Sequence, residues 1–200
     1  DFAMKGNPWN VPRGFPGSHS LDLLHQSLDV FLKTGILRSP TFDKSLRDGK
    51  GDRSGWCELK SKILILEGWF VGCEPVSDLN KIDSLSEDKF NLSLSQGEKD
   101  YRSLIQESLI KYSKIWKKFD KIWHLKSSHF NNTILWKTQQ EEEMIKIRGS
   151  GLKGNNLTDF IRMIQSSIPQ QSLSFINADT TVQINQHRRI DKLLTTNYHF

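Results

Sequence analysis

The chain has 200 residues, 36% of them apolar, with eleven Phe and six Trp, which excludes intrinsic disorder and leaves enough chain for a packed core. Lys and Arg outnumber acidic residues 28 to 23 for a net charge of +5, but both signs are interspersed and no basic block with interleaved aromatics marks a nucleic-acid partner. No apolar run reaches the length of a spanning helix, DFAMKGNPWN is no secretory signal, and Cys57 and Cys73 give neither a disulfide framework nor a zinc spacing, so a cytoplasmic protein is expected.

Residues 6–18 hold three prolines and three glycines and predict an irregular loop. In LDLLHQSLDVFLKTG, Leu21, Leu24, Leu28, Phe31 and Leu32 recur at helical spacing, with Ser20 as N-cap and Gly35 as stop. PTFDKSLRDGKGDR (40–53) carries seven charged side chains with little apolar spacing and reads as a long loop. KSKILILEGWFVG (60–72) contains the clearest strand: Ile63, Leu64, Ile65 and Leu66 form a continuous apolar run, as in a strand buried on both faces. The run stops at Glu67-Gly68, and open parallel sheets bind ligands at such carboxyl ends.

Residues 77–97 look polar and loosely helical. From about Glu98 a helix is expected, with Tyr101, Leu104, Ile105, Leu109, Tyr112, Ile115, Trp116 and Phe119 in one stripe. IWHLK (122–126) is a second short strand, and Tyr112, Trp116 and Trp123 read as core. A helix over 131–147 has an acidic centre at Glu141, Glu142 and Glu143. GSGLKGNN (149–156) is a loop, TDFIRMIQSSI a helix capped by Thr158, and TVQIN a strand. Strands separated by helices predict an α/β protein.

RGFPGSHS (13–20), PTFDKSLRDGKGDR and LILEGWFVG (64–72) follow one another in a recognisable order. Together they resemble the glycerate kinase family of P-loop kinases, whose pattern runs RG-x-PGTHD, then P-x-YDKS with GxGDR, then LEGWxxG. The run Tyr101, Tyr112, Trp116, Asp120 and the segment WKTQQEEEM (136–144) are similar to the family's downstream helix and its W-R-x-Q-x-E lid. Pantothenate kinase and uridine kinase are more distant relatives. The chain departs from the family in having no G-x-x-x-x-G-K-[ST] loop and no Asp-Asp-Phe-Tyr strand, in Ser20 where the family has Asp, and in Phe42 where it has Tyr. The resemblance therefore implies a P-loop kinase-like parallel sheet flanked by helices, N-terminally truncated. Residues 1–200 would be one kinase-like domain downstream of the Walker A loop, with 131–156 as a lid.

The activity this implies is transfer of the γ-phosphoryl group of ATP to a hydroxyl of glycerate or a similar small anion, with Mg²⁺, and without nucleic-acid or membrane partners. Phosphoryl transfer needs positioning and charge neutralisation more than covalent chemistry. By resemblance, Glu67 holds Mg²⁺ and Asp43 orients or deprotonates the acceptor hydroxyl. Arg13, His19, Lys44 and Arg53 bind the substrate, and Lys137 and Arg148 bring positive charge from the lid. Each assignment has a plainer counterpart. Glu67 caps a turn, the 40–53 run is a solvated loop, His19 is a helix-cap neighbour, and Lys137 and Arg148 pair with Glu141–Glu143. The GSGLKG loop lacks GK[ST] and a preceding strand, so it reads as a lid hinge. Without a Walker A cradle the chain is expected to bind ATP weakly and turn over slowly. A kinase for pantothenate or a nucleoside, and a non-catalytic binding module, are the alternatives.

Overall fold

The computed structural model describes residues 6–44, 46–47, 51–79 and 92–195. In chain order its elements are α1 (Leu21–Thr34), β1 (Ile36–Asp43), β2 (Asp52–Lys60), α2 (Gln96–Trp116), β3 (Trp123–Ser127), α3 (Asn132–Arg148), α4 (Gly154–Ser166), α5 (Gln170–Ser174), β4 (Thr180–Ile184) and β5 (Ile190–Thr195). They divide into two units, Pro12–Val71 and Asp1–Val11 with Gly72–Phe200.

In the Pro12–Val71 unit, α1 forms where the apolar spacing predicts it. Ser20 has the extended backbone of an N-cap but makes no side-chain cap bond. Gly35 ends the helix in the left-handed region, with its N–H donating to the Phe31 carbonyl at 2.7 Å. Leu28 is buried, and the Ser27 hydroxyl donates to the Arg38 carbonyl at 2.7 Å, joining α1 to β1.

The stretch expected to be a loop is instead half of a hairpin. β1 and β2 pair antiparallel from Ile36↔Lys60 to Asp43↔Asp52. The charges of 40–53 concealed it because they crowd around the connection, whereas the flanking ILRSPTF and SGWCELK supply the β-prone residues. A β-bulge falls at Thr41/Phe42: Thr41 faces Gly55, but Phe42 faces Arg53.

The apolar run 63–66 does not form the predicted strand. It joins no ladder among the described residues, and Ile63 and Ile65 are 74% and 85% exposed. A parallel strand is held only by its neighbours, and none of the described segments pairs with it.

The second unit is built on α2. Ser95 and Glu98 form a capping box, and Tyr101, Ile105, Leu109, Tyr112, Ile115 and Trp116 are buried. Leu104, placed in the same stripe by its spacing, is 46% exposed, and Trp123, read as core, is 67% exposed on β3. The sheet order is β3-β4-β5, parallel between β3 and β4 and antiparallel between β4 and β5. The architecture is α/β, as expected; among the described residues it holds an antiparallel hairpin and a mixed sheet whose parallel pair is β3 and β4. β5 was not anticipated, because IDKLLT lacks clear alternation.

α3 spans the predicted helix. α4 starts at Gly154, earlier than expected, so Thr158 lies inside it and donates to the Gly154 carbonyl at 3.2 Å rather than capping. Of the segment 77–97, residues 80–91 lie outside the described residues. No helix among the described residues is long and apolar enough to cross a membrane.

A buried polar cluster ties α2 to α4. Arg162 Nε donates to Glu98 Oε1 and its Nη2 to Glu98 Oε2, both at 2.6 Å. The Ser166 hydroxyl donates to Glu98 Oε1 at 2.9 Å, and the Trp9 indole N–H lies 3.1 Å from the same oxygen. Burial alone would raise the Glu98 pKa. The bonds from Arg162, the Ser95 amide and Ser166, with the Arg162 charge, outweigh burial and hold it at about 2.

Candidate active site

Six of the eight candidate residues, Arg13, His19, Asp43, Lys44, Arg53 and Glu67, belong to the Pro12–Val71 unit. The loop carrying Arg13 and His19 turns at Gly14 and Gly17, both at positive φ. The Gly14 N–H donates to the Ser18 hydroxyl at 3.0 Å, which donates in turn to the Phe15 carbonyl at 2.6 Å. Phe15 and Pro16 are buried beneath. The Trp69 indole N–H donates to the Gly14 carbonyl at 2.6 Å, and the His19 ring lies 5.9 Å from that of Phe70. The residues after Glu67 therefore buttress the loop that holds Arg13.

Arg13 reaches the hairpin. Its guanidinium carbon lies 5.3 Å from the Phe42 ring centroid, and burial lowers its pKa from the ordinary value. Cross-strand partners share one face of an antiparallel ladder. The bulge thus matters: regular pairing would set Ser54 opposite Phe42, and the extra residue sets Arg53 there instead. Phe42 thus has the Arg13 guanidinium near its ring and Arg53 as its cross-strand partner. Asp43 is half-buried and ends β1, and Lys44 is exposed beside it. Asp52 is engaged by Arg47 at 2.7 Å and accepts the Arg53 N–H at 2.8 Å. Sequence reasoning left Phe42 out of the binding set, and Trp69, whose bond fixes Gly14, was also missed. The signal for Trp69 was its place directly after Glu67-Gly68.

Glu67 is exposed, at the end of the extended run 63–66 rather than at a strand end. Mg²⁺ keeps several waters and takes one or two protein carboxylates together with substrate phosphates, so a single exposed carboxylate fits its habits. Among the described residues no three or more His, Cys, Asp and Glu side chains form a metal cluster.

Lys137 and Arg148 belong to the other unit. Lys137 is ion-paired with the buried Glu141, and its Nζ lies 4.6 Å from the Phe160 ring centroid. Arg148 is exposed at the end of α3. The other Glu141 oxygen accepts the Leu152 N–H at 2.8 Å. A carboxylate already occupies that amide of the glycine-rich loop, which agrees with its reading as something other than a phosphate cradle.

No protein-family model matches the chain. It is 26% identical over 195 residues to the "Uncharacterized kinase mug58" of Schizosaccharomyces pombe, covering 90% of this chain and 65% of that protein. It is likewise 26% identical over 191 residues to the "Probable ATP-dependent kinase TDA10" of Saccharomyces cerevisiae, covering 88% and 61%. The chain thus spans less than two thirds of the length of these curated relatives. A solved D-glycerate 3-kinase from Cryptococcus neoformans var. grubii superposes with a TM-score of 0.80 at 24% identity, over 98% of this chain and 73% of that one. The chain has the fold of that kinase. The solved YGR205w protein matches with a TM-score of 0.66 at 25% identity, over 96% of this chain and 69% of its own. The glycerate-kinase-like fold agrees with the resemblance carried by the 13–20, 40–53 and 64–72 motifs.

Proposed function

We propose that the chain belongs to an ATP-dependent small-molecule kinase, and that its hairpin binds glycerate or a similar small hydroxy acid. The observation that carries this reading is that Phe42, beside Asp43, has the Arg13 guanidinium near its ring and Arg53 as its cross-strand partner. Guanidinium groups grip a carboxylate through paired hydrogen bonds, and a neighbouring carboxylate can take the proton of an acceptor hydroxyl. In this reading Arg13 and Arg53 hold the substrate carboxylate, with Lys44 and His19 at the rim. Asp43 orients the hydroxyl and accepts its proton. Glu67 holds Mg²⁺, which neutralises phosphate charge when bound. Segment 131–156 is the proposed lid, and Lys137 and Arg148 are its charges for the transferring phosphoryl group. For Lys137 that role requires release from Glu141. The relatives named as kinases support ATP as donor, and the motif resemblance together with the D-glycerate 3-kinase fold supports glycerate as acceptor.

The test is calorimetric titration of the chain with D-glycerate, pantothenate and uridine, before and after Arg53→Ala. A charge-assisted hydrogen bond contributes about 1.5–3 kcal/mol, so Arg53→Ala should weaken D-glycerate binding roughly tenfold or more. D-glycerate should bind in preference to the other two. Preference for pantothenate or uridine, or indifference to Arg53→Ala, would refute the glycerate reading.

A further inference from the structure

We propose that Phe42 is a positioning residue: packed against Gly51, its ring holds the Arg13 guanidinium in place to meet the acceptor carboxylate. The inference rests on the acceptor reading above and adds what orients the arginine.

Three observations lead to it. The Arg13 guanidinium lies over the Phe42 ring at 5.3 Å. Gly51 has φ +77, and a Cβ built there would fall 2.4 and 2.5 Å from Phe42 Cε1 and Cζ and 3.2 Å from Arg13 Nη1. Glycine is therefore required twice, for its backbone angle and for the space the ring fills. Finally, Phe42 is 50% exposed, so burial in a core does not account for a large aromatic side chain at the end of β1. Gly51, the Phe42 ring and the Arg13 guanidinium pack against one another.

The contact has a direct chemical consequence. An arginine loses much rotamer freedom on binding unless it is already fixed. An aromatic ring attracts the cation through its quadrupole, whereas a carboxylate is bound through the guanidinium N–H groups. The ring thus restrains the arginine without supplying a rival carboxylate. An aliphatic side chain of similar size would cover Gly51 but offer no quadrupole to the cation.

Phe42→Leu, Phe42→Tyr, Phe42→Trp and Gly51→Ala test this with two readouts. The first is the ¹⁵N-edited Nε–H resonance of Arg13, assigned by its loss in Arg13→Lys, which the ring current displaces. The second is the Kd of D-glycerate and of acetate, a planar carboxylate without a hydroxyl. Phe42→Leu should abolish the displacement and weaken both carboxylates about two- to fivefold, the range of a cation–π contact at a partly exposed site, with the melting temperature retained. Phe42→Tyr and Phe42→Trp should keep both signals. Gly51→Ala should behave like Phe42→Leu, and Phe42→Leu decides if that variant does not fold. If acetate binding follows Phe42 while D-glycerate does not bind, the positioning role stands and the acceptor reading falls. Wild-type affinity in Phe42→Leu, or no binding of either carboxylate, overturns the positioning role.

Discussion

Glu98 offers the sharpest quantitative test of the fold, because one carboxylate joins α2, α4 and the N-terminal Trp9. Its pKa falls from 4.5 to about 2 on folding. At about 1.4 kcal/mol per unit this is worth about 3 kcal/mol of stability. The folded-state pKa is depressed, so the contribution is complete above pH 4.5 and is lost as pH falls from there towards 2. The titrating partner is Glu98. Glu98→Gln keeps the shape but removes the charge. It should remove the pH-dependent part and leave the partly exposed Arg162 without its anion.

Urea unfolding of both proteins at several pH values between 2 and 7 measures this, with the Trp9 indole N–H resonance as a local reporter. Other carboxylates titrate in both proteins, so the difference between the two curves isolates Glu98. Wild type should exceed Glu98→Gln by about 3 kcal/mol at pH 7 and converge on it near pH 2. A constant difference from pH 7 to pH 2 would refute the linkage, since it would mean that the carboxylate contributes the same whether charged or protonated.

Glu67 and Ile65 are both exposed yet carry opposite expectations. Under the proposed function, Glu67→Gln should leave stability within about 0.5 kcal/mol, as exposed substitutions do, while weakening Mg²⁺ binding measured by calorimetric titration; unchanged Mg²⁺ binding would remove Glu67 from the metal role. Ile65→Lys should also cost less than about 0.5 kcal/mol in this chain. Measured by urea unfolding, a loss of several kcal/mol would restore the buried strand that the apolar run first suggested.

What the sequence made legible follows from which forces are local. α1 and α2 were readable because apolar spacing, a capping residue and a terminal glycine all lie within the segment. The hairpin was not, because its ladder pairs Ile36 with Lys60, and the seven charges between Pro40 and Arg53 hid the β-prone flanks. The run 63–66 failed in the opposite sense: its composition suits a buried strand, but a strand exists only with partners. Leu104 and Trp123 show a related limit, since periodicity selects a face of an element without saying whether another element covers it. At the site, motif likeness pointed to Arg13, Asp43 and Arg53, yet Arg53 stands opposite Phe42 only through a bulge of one residue that no local pattern announced.

The same bulge explains why the order of residues in 40–53 matters more than their net charge. Shifting a strand by one residue sends every following side chain to the opposite face. With regular pairing, Phe42 would face Ser54, and Arg53 would stand one position along on the other face. The extra residue makes Arg53 the cross-strand partner of Phe42, whose ring the Arg13 guanidinium adjoins. Trp69 then links this cluster to the candidate metal carboxylate, because its indole holds the Gly14 carbonyl, next to Arg13, only two residues after Glu67. Since 63–66 joins no ladder among the described residues, that hydrogen bond and the Phe70 contact with His19 help tie the carboxylate to the arginine loop. Binding an anion at Arg13 and binding a cation at Glu67 would therefore order the same short stretch of backbone, and each would lower the ordering cost of the other.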